Sequence, residues 1–131
     1  MKTSLFALAS IALALTLSAC GLTETNTPAA SGGDGEITVT STDDACTLSE
    51  TEVGSGNLSF RVRNEGTEAT EFYLYGADGL RIVGEVENIG PGLTRDLVVS
   101  ATPGDYITAC KPGMKGDGIR GPFTVTESGQ D

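Results

Sequence analysis

The chain of 131 residues contains no histidine, and that absence removes most of the reactive chemistry a small protein can carry. Without imidazole there is no Ser-His or Cys-His nucleophile, and no Ser or Lys stands in a recognisable activating motif. Paired carboxylates remain as a formal acid and base, but no cleft signature accompanies them, and enzyme activity is not expected. Basic residues are also scarce: 8 Lys and Arg face 18 Asp and Glu, a net charge of -10. Such a balance excludes nucleic acid as a partner. It leaves cations or a basic protein surface, beside the plainer role of keeping the chain soluble. Aromatic residues make up 5% of the chain, so its core must rest largely on aliphatic side chains. Long apolar runs are missing as well, since the longest, Leu5 to Leu17, is too short to span a bilayer as a stable helix.

That run follows a weakly basic Met1-Lys2-Thr3 and ends in Leu17-Ser18-Ala19-Cys20. The tetrapeptide resembles the lipobox of bacterial lipoproteins, in which the signal is cut before a cysteine that carries a diacylglycerol. The resemblance implies a signal peptide over residues 1–19, lipidation at Cys20, and a mature protein on a cell membrane, facing the periplasm or the cell exterior. Residues 20–35 comprise the anchor and a polar, small-residue linker, GLTETNTPAASGGDG, with nothing to bury. As a flexible coil its ends lie roughly 20 Å apart. With Cys20 acylated, Cys46 and Cys110 are left in an oxidising compartment, where pairing is the default. The alternative is two free thiolates available to a soft ion such as Cu(I).

From Glu36 onward no helical period is present, and short alternating runs broken by turn residues recur. Ile37 and Val39 mark a first strand. Leu58, Phe60 and Val62 alternate with Ser59, Arg61 and Arg63 in the clearest half-buried strand. Further strands are expected over Thr70 to Tyr75, Leu80 to Glu87 after the Asp78-Gly79 turn, Leu93 to Val99, Asp105 to Cys110 and Phe123 to Thr126. Asn88 to Gly92 reads as a loop. Turns every 8 to 12 residues predict a β-sandwich of about seven strands over residues 36–127, with a tail at 128–131. Its core is expected to run from Ile37 and Val39 through Phe60, Val62, Phe72, Leu74 and Val83 to Leu97, Val99, Tyr106, Phe123 and Val125.

Pro103 to Thr126 then sets out a strand ending in Cys110, a loop with Pro112 and Met114, and a closing strand. This order resembles the metal loop of cupredoxin-type Greek-key sandwiches. A type 1 copper site needs two imidazoles beside the thiolate, so none is expected in a chain without histidine. The run Ile82 to Gly92, IVGEVENIGPG, with Pro103 to Tyr106 and the Cys46 and Cys110 pair, is similar to the cupredoxin-like domain of EfeO-type periplasmic iron-uptake components. The resemblance covers Glu36 to Thr126. It implies binding of iron or copper through acidic residues, matched here by Glu71, Glu85 and Glu87, with Cys46 and Cys110 as further candidates. Members of that family carry a second, helical domain, whereas this sequence ends at Asp131. The partners implied are a metal ion and a membrane permease or peroxidase-type component of an uptake system.

The residues themselves allow the same chemistry. Glu85 and Glu87, two apart on a predicted strand, leave on one face, and Glu71 on the neighbouring strand adds a third carboxylate. Hard oxygen donors suit hard ions; the competing reading is three solvated side chains on an outer face. Met114 either caps one end of the sandwich or joins Cys46 and Cys110 as an alternative soft site should the cysteines be free. Gly116 to Gly121 matches G-x-G-x-x-G by letter, but no helix follows, and the glycines read as turn residues.

Overall fold

The computed structural model describes residues 35–128. Nine strands form two sheets: β1 (Glu36–Ser41), β2 (Cys46–Leu48), β4 (Gly56–Asn64) and β7 (Thr94–Ala101) in one, ordered β2-β1-β4-β7. The second sheet contains β3 (Glu52–Gly54), β5 (Thr70–Gly76), β6 (Ile82–Ile89), β8 (Gly104–Cys110) and β9 (Ile119–Thr126), ordered β3-β9-β8-β5-β6. All seven expected strands are present. The two additional ones, β2 and β3, span three residues each, too few for an alternating pattern to register.

Alternation decides which side chains enter the core. Along β4, Leu58, Phe60, Val62 and Asn64 are buried, while Asn57, Arg61 and Arg63 face water. Phe60 is central, with ring centroids 5.1 Å from Phe72 and 5.5 Å from Phe123, so three of the four phenylalanines bind the two sheets together. Asn64 is the polar exception. Its amide donates to the carbonyls of Glu68 and Ile89, 2.7 Å each, and its oxygen accepts from Gly66 N–H at 2.8 Å. This fastens the loop after β4 and the last residue of β6 to the end of the core. Ile89, expected in a loop, instead closes β6 and is fully buried. Val83, expected in the core, is only half-buried and packs against it. It lies on β6, at the sheet's edge, where bulges interrupt the β5–β6 pairing. On that strand a side chain at Gly84 would collide with Val99, so glycine lets the two sheets approach there.

The two sheets are also joined covalently. Cys46 at the start of β2 and Cys110 at the end of β8 form a disulfide with Cα atoms 5.5 Å apart. Beyond Cys110 comes a single 3-10 turn, Pro112–Met114, then the glycine-rich loop. Gly118 there has φ +76°, and a Cβ would strike the Cys110 carbonyl, consistent with a tight connection between antiparallel strands.

Candidate functional site

The outer face of the second sheet departs from the usual polar coat. β5 presents Glu71, Tyr73 and Tyr75 there, paired in register with Ala109 and Ile107 of β8 on one side and with Glu85 of β6 on the other. The tyrosine rings stack at 5.3 Å, only 6° from parallel. Lys111 Nζ lies 4.1 Å over the Tyr73 ring, and the Arg120 guanidinium 4.8 Å over Tyr75. These cations hold the rings by cation–π attraction and cover them, leaving Tyr73 and Tyr75 at 7% and 5% exposure although they point away from the core. Arg120 is itself fixed, donating to the carbonyls of Asp117 and Gly79, 2.9 Å each. Lys111 is positioned by reciprocal backbone hydrogen bonds with Glu71.

The Tyr73 hydroxyl points toward the carboxylates. Glu71 Oε2 stands 3.1 Å away and Glu87 Oε1 3.3 Å, both as acceptors of its single proton. Glu85 is exposed, on the same edge strand. Burial, followed by the hydrogen bond to Glu71 and the charges of Glu71, Glu85 and Glu87, pushes the Tyr73 phenol well above the ordinary tyrosine range. Tyr73 is therefore a neutral donor at physiological pH. The sign for stability follows. Above pH ~10 unfolded tyrosine loses its proton while folded Tyr73 keeps it, so the folded state binds more protons and stability falls as pH rises. Denaturant midpoints measured at increasing pH above ~10 should decline in the wild type, less steeply in Tyr73→Phe, and Glu71→Gln should move the Tyr73 titration back toward the ordinary value.

Of the residues singled out from sequence, Glu71 and Glu87 thus meet at one hydroxyl, with Glu85 adjacent on the same face. Among the described residues no three Cys, Asp or Glu side chains are grouped closely enough to hold a metal ion. Two carboxylates and a phenol converge, rather than three carboxylates. Cys46 and Cys110 are bridged, so the soft set with Met114 would require their reduction; Met114 is exposed, with φ +53°. Cys20 lies outside the described residues. Tyr73, Lys111 and Arg120 do not stand out from sequence. The local signal is Glu71-x-Tyr73-x-Tyr75, three side chains of one face; the cations come from the residue after β8 and from β9, which are distant in the chain.

The family model for the cupredoxin-like domain matches residues 7–125. Among curated proteins, the chain is similar to the iron uptake system component EfeO of Escherichia coli K12 and of Shigella flexneri, at 31% identity over 75 residues. That match takes in 57% of this chain and 20% of each relative, so the chain spans about a fifth of the length of the curated relatives it matches. Among solved structures, it resembles reduced auracyanin from Roseiflexus castenholzii, with TM-score 0.57 and 18% identity over 72% of this chain and 99% of that one. It also resembles an azurin from Methylomonas sp. strain J, with TM-score 0.54 and 16% identity over 72% and 100% of the two chains. At these identities the two structures share the fold alone. A two-sheet all-β sandwich and a family match over nearly its whole length establish that the chain belongs to the cupredoxin-like domain family and has an EfeO-type domain.

Proposed function

We propose that this protein is a membrane-anchored, extracytoplasmic module that binds iron or copper as cargo for a metal-uptake system, without catalysis and without electron transfer. The observation that carries this reading is the convergence of Glu71 and Glu87 on the Tyr73 hydroxyl, with Glu85 beside them. A cation entering there meets carboxylates already drawn together against their mutual repulsion. Oxygen donors of this kind favour a hard ion, Fe(III) over Cu(I). The similarity to a protein named as an iron uptake component supports the same assignment. Cys20 supplies the lipid anchor, and the ion passes to a permease or peroxidase-type component on the same membrane.

Titration of the purified protein with Fe(III), Cu(II) and Cu(I) should give saturable binding to the hard ions with the disulfide intact. Glu71→Gln combined with Glu87→Gln should abolish it, and Glu85→Gln should weaken it. Wild-type affinity in the double variant would remove the site assignment. Cu(I) binding that appears only after reduction, with two free thiols counted, would move the site to Cys46, Cys110 and Met114. A second reading, a metal-free adaptor docking a membrane or cell-surface partner, is favoured by the lack of any ready-made group of three ligands among the described residues. It expects partner capture that a chelator does not disturb.

A further inference from the structure

The strand pairings place the chain entry and the carboxylate site at opposite ends of the sandwich. Glu36, where the described chain begins its first strand, pairs with Ser59, and Ser59 with Val98, three residues from the end marked by the Gly56–Ala101 pair. The β7–β8 connection leads from Ala101 to Gly104, so the start of β8 lies at that same end. Gly104 pairs with Val125 and Gly76 with Tyr106, which brings the β5–β6 turn there too. The disulfide, Lys111 and Glu71 lie at the opposite end, about 20 Å away along strands of seven or eight residues.

At the entry end the β5–β6 turn exposes large aliphatic side chains. Leu80 is 80% and Ile82 51% exposed, with Arg81 between them, and Val98 is 66% exposed on the outer face of the first sheet. The turn is rigid. Asp78 accepts from the backbone N–H groups of Leu80 and Arg81, 2.9 Å each, and Arg120 donates to the Gly79 carbonyl. Its one carboxylate is therefore engaged inside the turn, while Leu80 is held outward.

We infer that the Leu80-Arg81-Ile82 tip docks into the headgroup layer of the bilayer that holds the anchor, standing the sandwich on its entry end with the carboxylate site directed away from the membrane. This rests on the reading of Cys20 as the lipidated residue. Fifteen residues, 21–35, separate Cys20 from Glu36; a polar, small-residue chain of that length is expected to span roughly 20 Å. Two aliphatic side chains hold a free protein to lipid only weakly, but a short tether turns the contact into an intramolecular one at an effective concentration of about millimolar. The Arg81 guanidinium folds back over Gly76 at the base of the turn, so it adds a cation beside the tip while Leu80 and Ile82 are the side chains exposed to lipid. The chain also enters the domain at this end, so the tether itself brings the tip to the surface.

The protein has no tryptophan, so a single one reports without background. The lipidated full chain carrying Leu80→Trp is placed in phosphatidylethanolamine and phosphatidylglycerol vesicles containing brominated acyl chains, and a Leu93→Trp chain serves as the reporter at the opposite end. Trp at position 80 should be blue-shifted and quenched, and Trp at position 93 should be neither. Adding Ile82→Asp should diminish the quenching at 80. To exclude insertion driven by the reporter, amide exchange of the unsubstituted lipidated chain should slow over residues 79–82 on vesicles relative to the chain cleaved from its anchor. Unquenched Trp at 80, equal quenching at both positions, or unchanged exchange would overturn the docking while leaving the anchor and the metal reading intact. A chain recovered without acyl groups on Cys20 would overturn the anchor and the docking together.

Discussion

Replacing Cys46 and Cys110 together by alanine should lower the unfolding free energy by about 4 kcal/mol, the value expected for releasing a bridge across a sequence separation of 64 residues. For a domain of this size the corresponding fall in Tm is about 20 °C. The physical reason is topological. β2 is a three-residue strand paired only to β1, whereas Cys110 is fully buried at the end of β8 in the opposite sheet. The bridge therefore ties the least supported strand of one sheet to the interior of the other, across the end where Lys111 and Glu71 pair. Thermal unfolding followed by far-UV circular dichroism, with and without reductant, would measure it. The wild type under reducing conditions should approach the double variant, and a reduced protein that keeps its oxidised Tm would contradict the assignment of the bridge as a main source of stability.

Phe60→Ala should be comparably costly, about 3 to 5 kcal/mol by loss of buried ring surface and the cavity left behind. Phe60 is fully buried, and both of its ring neighbours, Phe72 and Phe123, belong to the other sheet. Truncation at this position opens the space between the sheets where few large side chains are available to refill it. Phe60→Leu should recover much of the loss, because volume-conserving exchanges are tolerated better. Urea denaturation of the two variants would give the ordering, and equal stability for alanine and leucine would show that the gap collapses.

Much of the sandwich could be read from local pattern because its longer strands alternate cleanly. Leu58, Phe60 and Val62 against Ser59, Arg61 and Arg63 specify both the strand and its buried face. β2 and β3 escape that reading because three residues make no period. The pattern places the start of β6 at Leu80, since an aliphatic residue after Asp78-Gly79 looks like strand; the strand begins instead at Ile82, because the Asp78 side chain holds Leu80 and Arg81 in the turn. Asn88 and Gly90 on either side of Ile89 read as a loop, yet the buried Asn64 amide donates to the Ile89 carbonyl and Ile89 is fully buried. At the site, period two and one hairpin sufficed to bring Glu71, Glu85 and Glu87 to a single face. The part played by Tyr73 depends on Lys111 and on a stacked Tyr75 covered by Arg120, contacts spanning three strands. No local window contains that information.

The position of β6 as the last strand of its sheet has one more consequence. A terminal strand offers unpaired backbone groups to any passing chain, and proteins suppress such pairing with charge, bulges and covering side chains. β6 has all three: Glu85 and Glu87 along its length, irregular pairing with β5, and Arg95 Nη1 donating to the Glu87 carbonyl at 3.4 Å. The same glutamates that favour a cation thus also keep two copies from zipping together.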